Sequence, residues 1–477
     1  MHISKYDDIT NLSALNMAEL VQQKKLSAVE IIKAHLHRID ALNPTINAFC
    51  TILSDEAMSA AAAADEAFMR GEKVGPLHGL PVALKDLTPT KGVRTTRGSK
   101  LFENFIPEND ALLVKRIKEA GGIIIGKTNT PEFGHKGITD NQLFGPTLNP
   151  WDTKRTVGGS SGGSSAAVAS RMVPLAEGSD GAGSIRIPAS MCGVFGFKPT
   201  YGRIPDVVGA FSSHTPFFHN GPITRDVSDA ALFYQSMAGA HYTDPFSIPN
   251  DENIFATLND SIKGMKIAYS PNLGYFDIAP EVEASCKQAA TIFSELGCVV
   301  EEIDIGFDKE IENDFMILWC GKMASLYDDL TDQQLSLLEP EVKELIIHGK
   351  QLSAVQFGKA NLARERVWEK LIKIHEKYDF LICPTTAVPA FPLEHGAPTT
   401  INGNPINPLI GWFLTYPFNL TGNPVASVPC GFSKDGLPIG LQIIGRHLAD
   451  SSVLRCSKSF EKQLALDTFV KDIVINR

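Results

Sequence analysis

Apolar residues recur at helical spacing through Val29, Ile32, Leu36 and Ile39, behind a Ser27-Ala-Val-Glu30 capping box. This pattern predicts a helix that Pro44 brings to an end. The alanine-rich stretch 56–70 predicts a second helix, since alanine is the strongest helix former. From about residue 76 the pattern shortens. Pro81-Val-Ala-Leu84 and Ile123-Ile-Ile125 are apolar runs of strand length, separated by a helical pattern at 110–120. Alternation of this kind predicts an α/β sheet. Residues 228–375 read as mainly helical, with strands near 265–269 and 298–304 and amphipathic helices at 281–297 and 353–378. Strand patterns return at 380–383, 425–429 and 439–444, before a last helix at about 449–465.

The 477 residues are compatible with about three domains, or with one large α/β domain carrying an insertion. The pattern divides the chain into a helical segment at 1–70, an α/β core at 71–230, a helical insertion at 231–375 and a return to the core at 376–477.

Composition narrows the class. An apolar fraction of 43% with 21% charged residues is a globular balance. The net charge of -10 gives no attraction for nucleic acid or anionic lipid. Eight scattered cysteines without a CxxC pair suggest neither a disulfide framework nor a zinc site. The N-terminus lacks the apolar run of a signal peptide, and no spanning stretch is visible, so a cytoplasmic location away from the membrane is expected.

Chemistry is concentrated in three places. Lys85 ends the apolar run Gly79-Leu-Pro-Val-Ala-Leu, where desolvation would lower its pKa and make it a general base. A lysine snorkelling at a strand end is the plain alternative. The run 156–170, TVGGSSGGSSAAVAS, flows into an apolar helix rather than joining two polar surfaces, which argues against a linker. It fits G-x-S-x-G around Ser160 or Ser161, the nucleophile elbow of an α/β-hydrolase, with Asp435 and His447 as later acid and base. The preceding residues, however, are turn-like and polar. The third place is Ser179-Asp-Gly-Ala-Gly-Ser184-Ile-Arg186, where a serine after a glycine-rich turn has backbone N–H groups available to a developing oxyanion. A literal P-loop match, Gly121 to Thr128, has Ile-Ile-Ile where a phosphate loop belongs.

Together these segments resemble the amidase signature family. The resemblance rests on GLPVALKD, GGSSGGSSAAVA, SDGAGSIRIPAS and NPWD, with GKTNTPEFG, GVFGFKPTYGR and FNLTGNPVASVPCGF flanking them, and so covers nearly the whole chain. It implies one large α/β domain with a central mixed sheet flanked by helices. It also implies a Ser-cisSer-Lys triad with no metal or cofactor. Ser184 would be the nucleophile, Ser160 the bridging serine and Lys85 the terminal base. Ser161 would help hold the lysine. The N–H groups of Gly181, Ala182 and Gly183 would form the oxyanion hole, braced by Asp180 and Arg186. Many members carry glycine where this chain has Ala182; alanine would be strained there if the position needs φ > 0.

The resemblance implies a small-molecule amide as substrate. The catalytic subunit of a glutamine-dependent aminoacyl-tRNA amidotransferase is the alternative within the family. That branch resembles Glu341-Val-Lys343 followed by two arginines, whereas Glu344 and Leu345 follow here, and Trp412 falls where an aspartate is expected. Phe211, Phe217, Phe218, Trp319, Trp412 and Phe413 lean toward an apolar or aryl amide, with esters or carbamates as side substrates. A non-catalytic scaffold and the nucleophile-elbow esterase remain as other classes. A homodimer would be compatible with the sequence.

Overall fold

The computed structural model describes residues 5–206, 218–250 and 253–464. In chain order its strands are β1 (Phe49–Ile52), β2 (Pro81–Lys85), β3 (Ile123–Thr128), β4 (Leu175–Asp180), β5 (Phe195–Lys198), β6 (His219–Thr224) and β7 (Lys266–Tyr269). They continue with β8 (Val299–Glu302), β9 (Phe380–Pro384), β10 (Thr400–Ile401), β11 (Asn404–Pro405), β12 (Val425–Phe432) and β13 (Pro438–Gly445). An 11-stranded sheet runs in the order β1-β3-β2-β4-β6-β5-β12-β13-β9-β7-β8, while β10 and β11 pair separately. Pairing is parallel where β2 meets β3 and β4, and where β7 meets β8 and β9. The remaining neighbours are antiparallel, so the sheet is mixed.

The apolar runs of β2 and β3 lack polar alternation because both faces of the sheet are covered. Val82 and Leu84 join one buried apolar cluster and Ala83 the other. In β3, Ile124 joins the first cluster, while Ile123 and Ile125 join the second. Side chains of a strand alternate between faces, so a continuous apolar run supplies two cores at once.

One expectation needs correction. The helix expected to stop at Pro44 spans Ala28–Ile46 with the proline inside it. Proline in the last turn removes one backbone donor, and the helix closes at Asn47, whose left-handed backbone donates to the Asn43 carbonyl at 2.8 Å. The strands expected near 265–269 and 298–304 are β7 and β8, and they form one end of the same sheet. In the Gly121–Thr128 stretch, Ile123–Thr128 is β3, with Lys127 fully buried and donating to Thr90 Oγ1 at 3.2 Å and Thr95 Oγ1 at 3.1 Å. It has no loop to cradle a phosphate. Among the described residues, no helix is long and apolar enough to cross a membrane.

Candidate active site

β2 and β4 run parallel side by side, so their C-terminal ends deliver Lys85 and Ser179-Asp180 to the same edge of the sheet. The Gly/Ser run lies beside them, with a cis peptide bond between Gly159 and Ser160. Lys85 is fully buried, and its Nζ donates to Ser160 Oγ at 2.7 Å and Ser179 Oγ at 3.0 Å. Burial lowers the pKa of its ammonium well below the ordinary lysine range, against the opposing pull of the Glu177 and Asp180 charges. The lysine backbone N–H donates to Glu177 Oε2 at 3.0 Å, which anchors the strand end.

Ser184 is joined to this pair through the backbone: the Ser161 N–H donates to the Ser184 carbonyl at 3.0 Å. Ser161, expected beside the lysine, is otherwise engaged. Its hydroxyl donates to the Ser179 carbonyl and accepts from the Ser179 N–H, each at 3.2 Å. The serine that holds Lys85 from its other side is Ser179. It stands inside the recognised motif at a strand end, and that position is the signal that could have found it.

The loop carrying Ser184 is braced by a buried ion pair. Asp180 accepts from Arg186 Nε and Nη2, both at 2.9 Å, and from Asn419 Nδ2 at 2.8 Å. Burial alone would raise its carboxyl; the Arg186 charge and these hydrogen bonds overcome that and hold it far below the usual carboxylate range. Asp180 also accepts from the Gly183 N–H at 2.7 Å. Of the three donors expected at the oxyanion hole, Gly183 is therefore committed inside the loop, leaving Gly181 and Ala182 as the candidates.

Ala182 is not among the described residues with positive φ, so the strain expected there is absent. The positive φ falls on Gly183, at +128°, where an added Cβ would collide with the Thr415 hydroxyl. Gly183→Ala is expected to lower both the thermal midpoint and the turnover of a test amide. Substitution with unchanged turnover would show that the loop tolerates a side chain there.

Ser184 opens into a small cavity of about 30 Å³ walled by Ala182, Phe315, Met316, Trp319 and Phe413. Trp319 also borders a neighbouring cavity of about 310 Å³ with Ser179, Phe218, Asn220, Lys322 and Tyr327. The Lys322 ammonium lies 4.6 Å from the centre of the Phe218 ring. Trp412 does not line the Ser184 cavity. It is 1% exposed, its Nε1 donates to the Pro408 carbonyl at 2.9 Å, and it borders an outer cleft with Lys136, Glu341 and Glu344. Phe211 and Phe217 lie outside the described residues.

The nucleophile-elbow alternative finds no support in this geometry. Among the described residues no strand leads into Ser160, and the Ser160 hydroxyl is taken by Lys85. Asp435 is a surface carboxylate 3.2 Å from Arg155 Nη2, and the exposed His447 stacks edge-on to Trp368.

Residues 30–454 match the protein family described as Amidase. The chain belongs to the amidase signature family. It is a hydrolase of carbon–nitrogen bonds in linear amides. An acylamidase from Rhodococcus erythropolis is 42% identical over 453 residues, covering 94% of this chain and 95% of that protein. A glutamyl-tRNA(Gln) amidotransferase subunit from Desulfatibacillum aliphaticivorans is 37% identical over 471 residues, covering 93% of this chain and 95% of its own length. Among solved structures, a bacterial aryl acylamidase of the amidase signature family superposes with a TM-score of 0.94 at 33% identity, over 98% of this chain and 99% of that one.

Proposed function

We propose that this amidase cleaves acyl amides with an apolar or aryl group through an acyl-enzyme on Ser184. The observation that carries the reading is the buried Lys85 amine, its pKa lowered by desolvation, 2.7 Å from Ser160 Oγ in the segment bonded to Ser184. A serine hydroxyl is inert near neutral pH and needs an adjacent base that is itself oriented.

In the first step Ser184 Oγ bonds to the amide carbon while its proton passes to Ser160, whose own proton passes to Lys85. The carbonyl oxygen becomes an oxyanion facing the Gly181 and Ala182 N–H groups. Collapse breaks the carbon–nitrogen bond as the relay returns the proton to the leaving amine. Water then attacks the ester, giving up its proton along the same path, and frees the acid and Ser184.

Aromatic and aliphatic walls around Ser184 favour an apolar acyl or aryl group, in keeping with the acylamidase and aryl acylamidase relatives. The amidotransferase reading is less well supported. A zwitterionic glutamine needs fixed charges of both signs, and a site lacking them loses orders of magnitude in discrimination. Glu344 and Leu345 stand where that branch has arginines, and Trp412 is a buried core indole.

The test is a fluorophosphonate probe with peptide mapping, followed by kinetics on anilides, esters and glutamine. The expected result is an adduct on Ser184 and anilide turnover well above glutamine turnover. An adduct on Ser160 or Ser161, or a preference for glutamine, would overturn the proposal.

A further inference from the structure

Residues 131–137 form a wall between Ser160 and the helical layer around Pro340–Gln351. The Glu132 side chain is buried and accepts from the Ser99 hydroxyl and, at 2.7 Å, from the Glu339 N–H. His135 follows, with Nδ1 at 2.8 Å from the Glu132 carbonyl oxygen. A carbonyl oxygen only accepts, so Nδ1 carries the proton and Nε2 presents a lone pair.

That lone pair has no donor. His135 is 4% exposed, and its Nε2 is buried without a hydrogen-bond partner. Ligand-capable atoms of His135, Glu339 and Glu341 all lie within 4.8 Å of one another. Glu339 and Glu341 flank the start of the helix Pro340–Gln351, and the helix dipole alone would account for their negative charge. It does not account for a buried imidazole nitrogen left without a partner beside these carboxylates.

We propose that His135, Glu339 and Glu341 form a binding site for a zinc-class divalent cation, clamping the wall beside Ser160 to the start of the helix Pro340–Gln351. One imidazole nitrogen and two carboxylate oxygens suit Zn²⁺ and leave a position for water. The imidazole ligand argues against Mg²⁺ and Ca²⁺, which take oxygen. The Nδ1–H bond to a backbone carbonyl is the support that metal-bound histidines carry. Lys136 Nζ competes, at 3.3 Å from Glu339 Oε2, but it also holds Asp140 Oδ1 at 2.7 Å and keeps that partner when Glu339 turns to the ion.

The site uses no member of the serine–lysine relay, yet it adjoins it. A Cβ on Gly134 would come within 3.0 Å of Ser160 Oγ, and His135 lines the Ser184 cavity. Occupancy would fix that wall.

Isothermal titration of the chelator-treated full chain with ZnCl₂ tests the site. A single ion per chain with roughly micromolar affinity is expected. Glu341→Gln, at an exposed position, and His135→Gln should each weaken binding by roughly tenfold or more. Ser184→Ala should bind zinc as the parent does, which separates this proposal from the amide reading. Anomalous diffraction at the zinc edge should place the ion among the three side chains. Absence of binding at millimolar zinc would overturn the site and leave the lone pair to an acid proton of Glu339. Binding unchanged in both variants would place the ion on surface histidines and would equally overturn it.

Discussion

Lys85→Met is expected to lower kcat by roughly ten-thousand-fold, the upper range of a general base, which corresponds to about 5.5 kcal/mol of barrier. Methionine keeps the apolar stem packed between β2 and its neighbours while removing the amine, so circular dichroism should be unchanged. The wild type carries its own control in its pH profile. Lys85 accepts a proton only as the neutral amine, and burial brings its pKa down to about 7 despite Glu177 and Asp180. Below that pH the amine is protonated and the base is lost. kcat/KM should therefore climb with pH through neutrality and level off above it. A profile flat well into the acid range, or a Lys85→Met enzyme of near-normal rate, would remove Lys85 as the base.

Arg186→Ala should cost about 3–5 kcal/mol of stability, the range found when one partner of a buried ion pair is removed. The guanidinium is fully buried and makes five hydrogen bonds: two to Asp180, and one each to the Thr415 carbonyl, Gln442 Oε1 and Asn419 Oδ1. Without it Asp180 is a buried charge short of its main partner, and the Ser184 loop loses its brace, so kcat should fall with stability. Urea unfolding gives the first readout. Arg186→Lys should rescue little, because a point charge cannot reproduce the planar fork. The pH dependence follows from the depressed Asp180 carboxyl. Its contribution is complete above the pKa of an unfolded aspartate and is lost only as pH falls through the lower folded value. In Arg186→Ala that protection should be reduced, and acid unfolding should begin at higher pH. A variant as stable as its parent would show that the remaining donors suffice.

The parts of the site that were legible in the sequence are those set by local backbone chemistry. Lys85 could be placed because an apolar run ending in a lysine is a strand with a desolvated end. The Gly/Ser run and the turn before Ser184 stood out because glycines next to reactive hydroxyls serve close backbone approach, and the resemblance to the amidase signature family then told the serines apart. Ser179 was within reach of the same reasoning. Asn419 and Gln442 were not, since they meet Arg186 across 233 and 256 positions and nothing local marks them. Trp412 is likewise placed by long-range packing: it is buried against Phe391 and Phe413 and borders the outer cleft rather than the Ser184 cavity.

Local sequence was enough for the class of fold and for the strands that carry the chemistry, while the serines and lysine proposed as the relay were singled out by the resemblance of their motifs to the amidase signature family. Apolar runs of strand length, turn glycines and motif spacing are all properties of short segments. Folding in three dimensions settled which hydroxyls hold the lysine, that the Gly183 N–H is committed to Asp180, and where the positive φ falls in the loop. It also brought His135 to Glu339 and Glu341. These outcomes depend on which strand ends lie side by side and on how buried polar groups share a limited set of partners, and that competition is resolved only when distant segments pack.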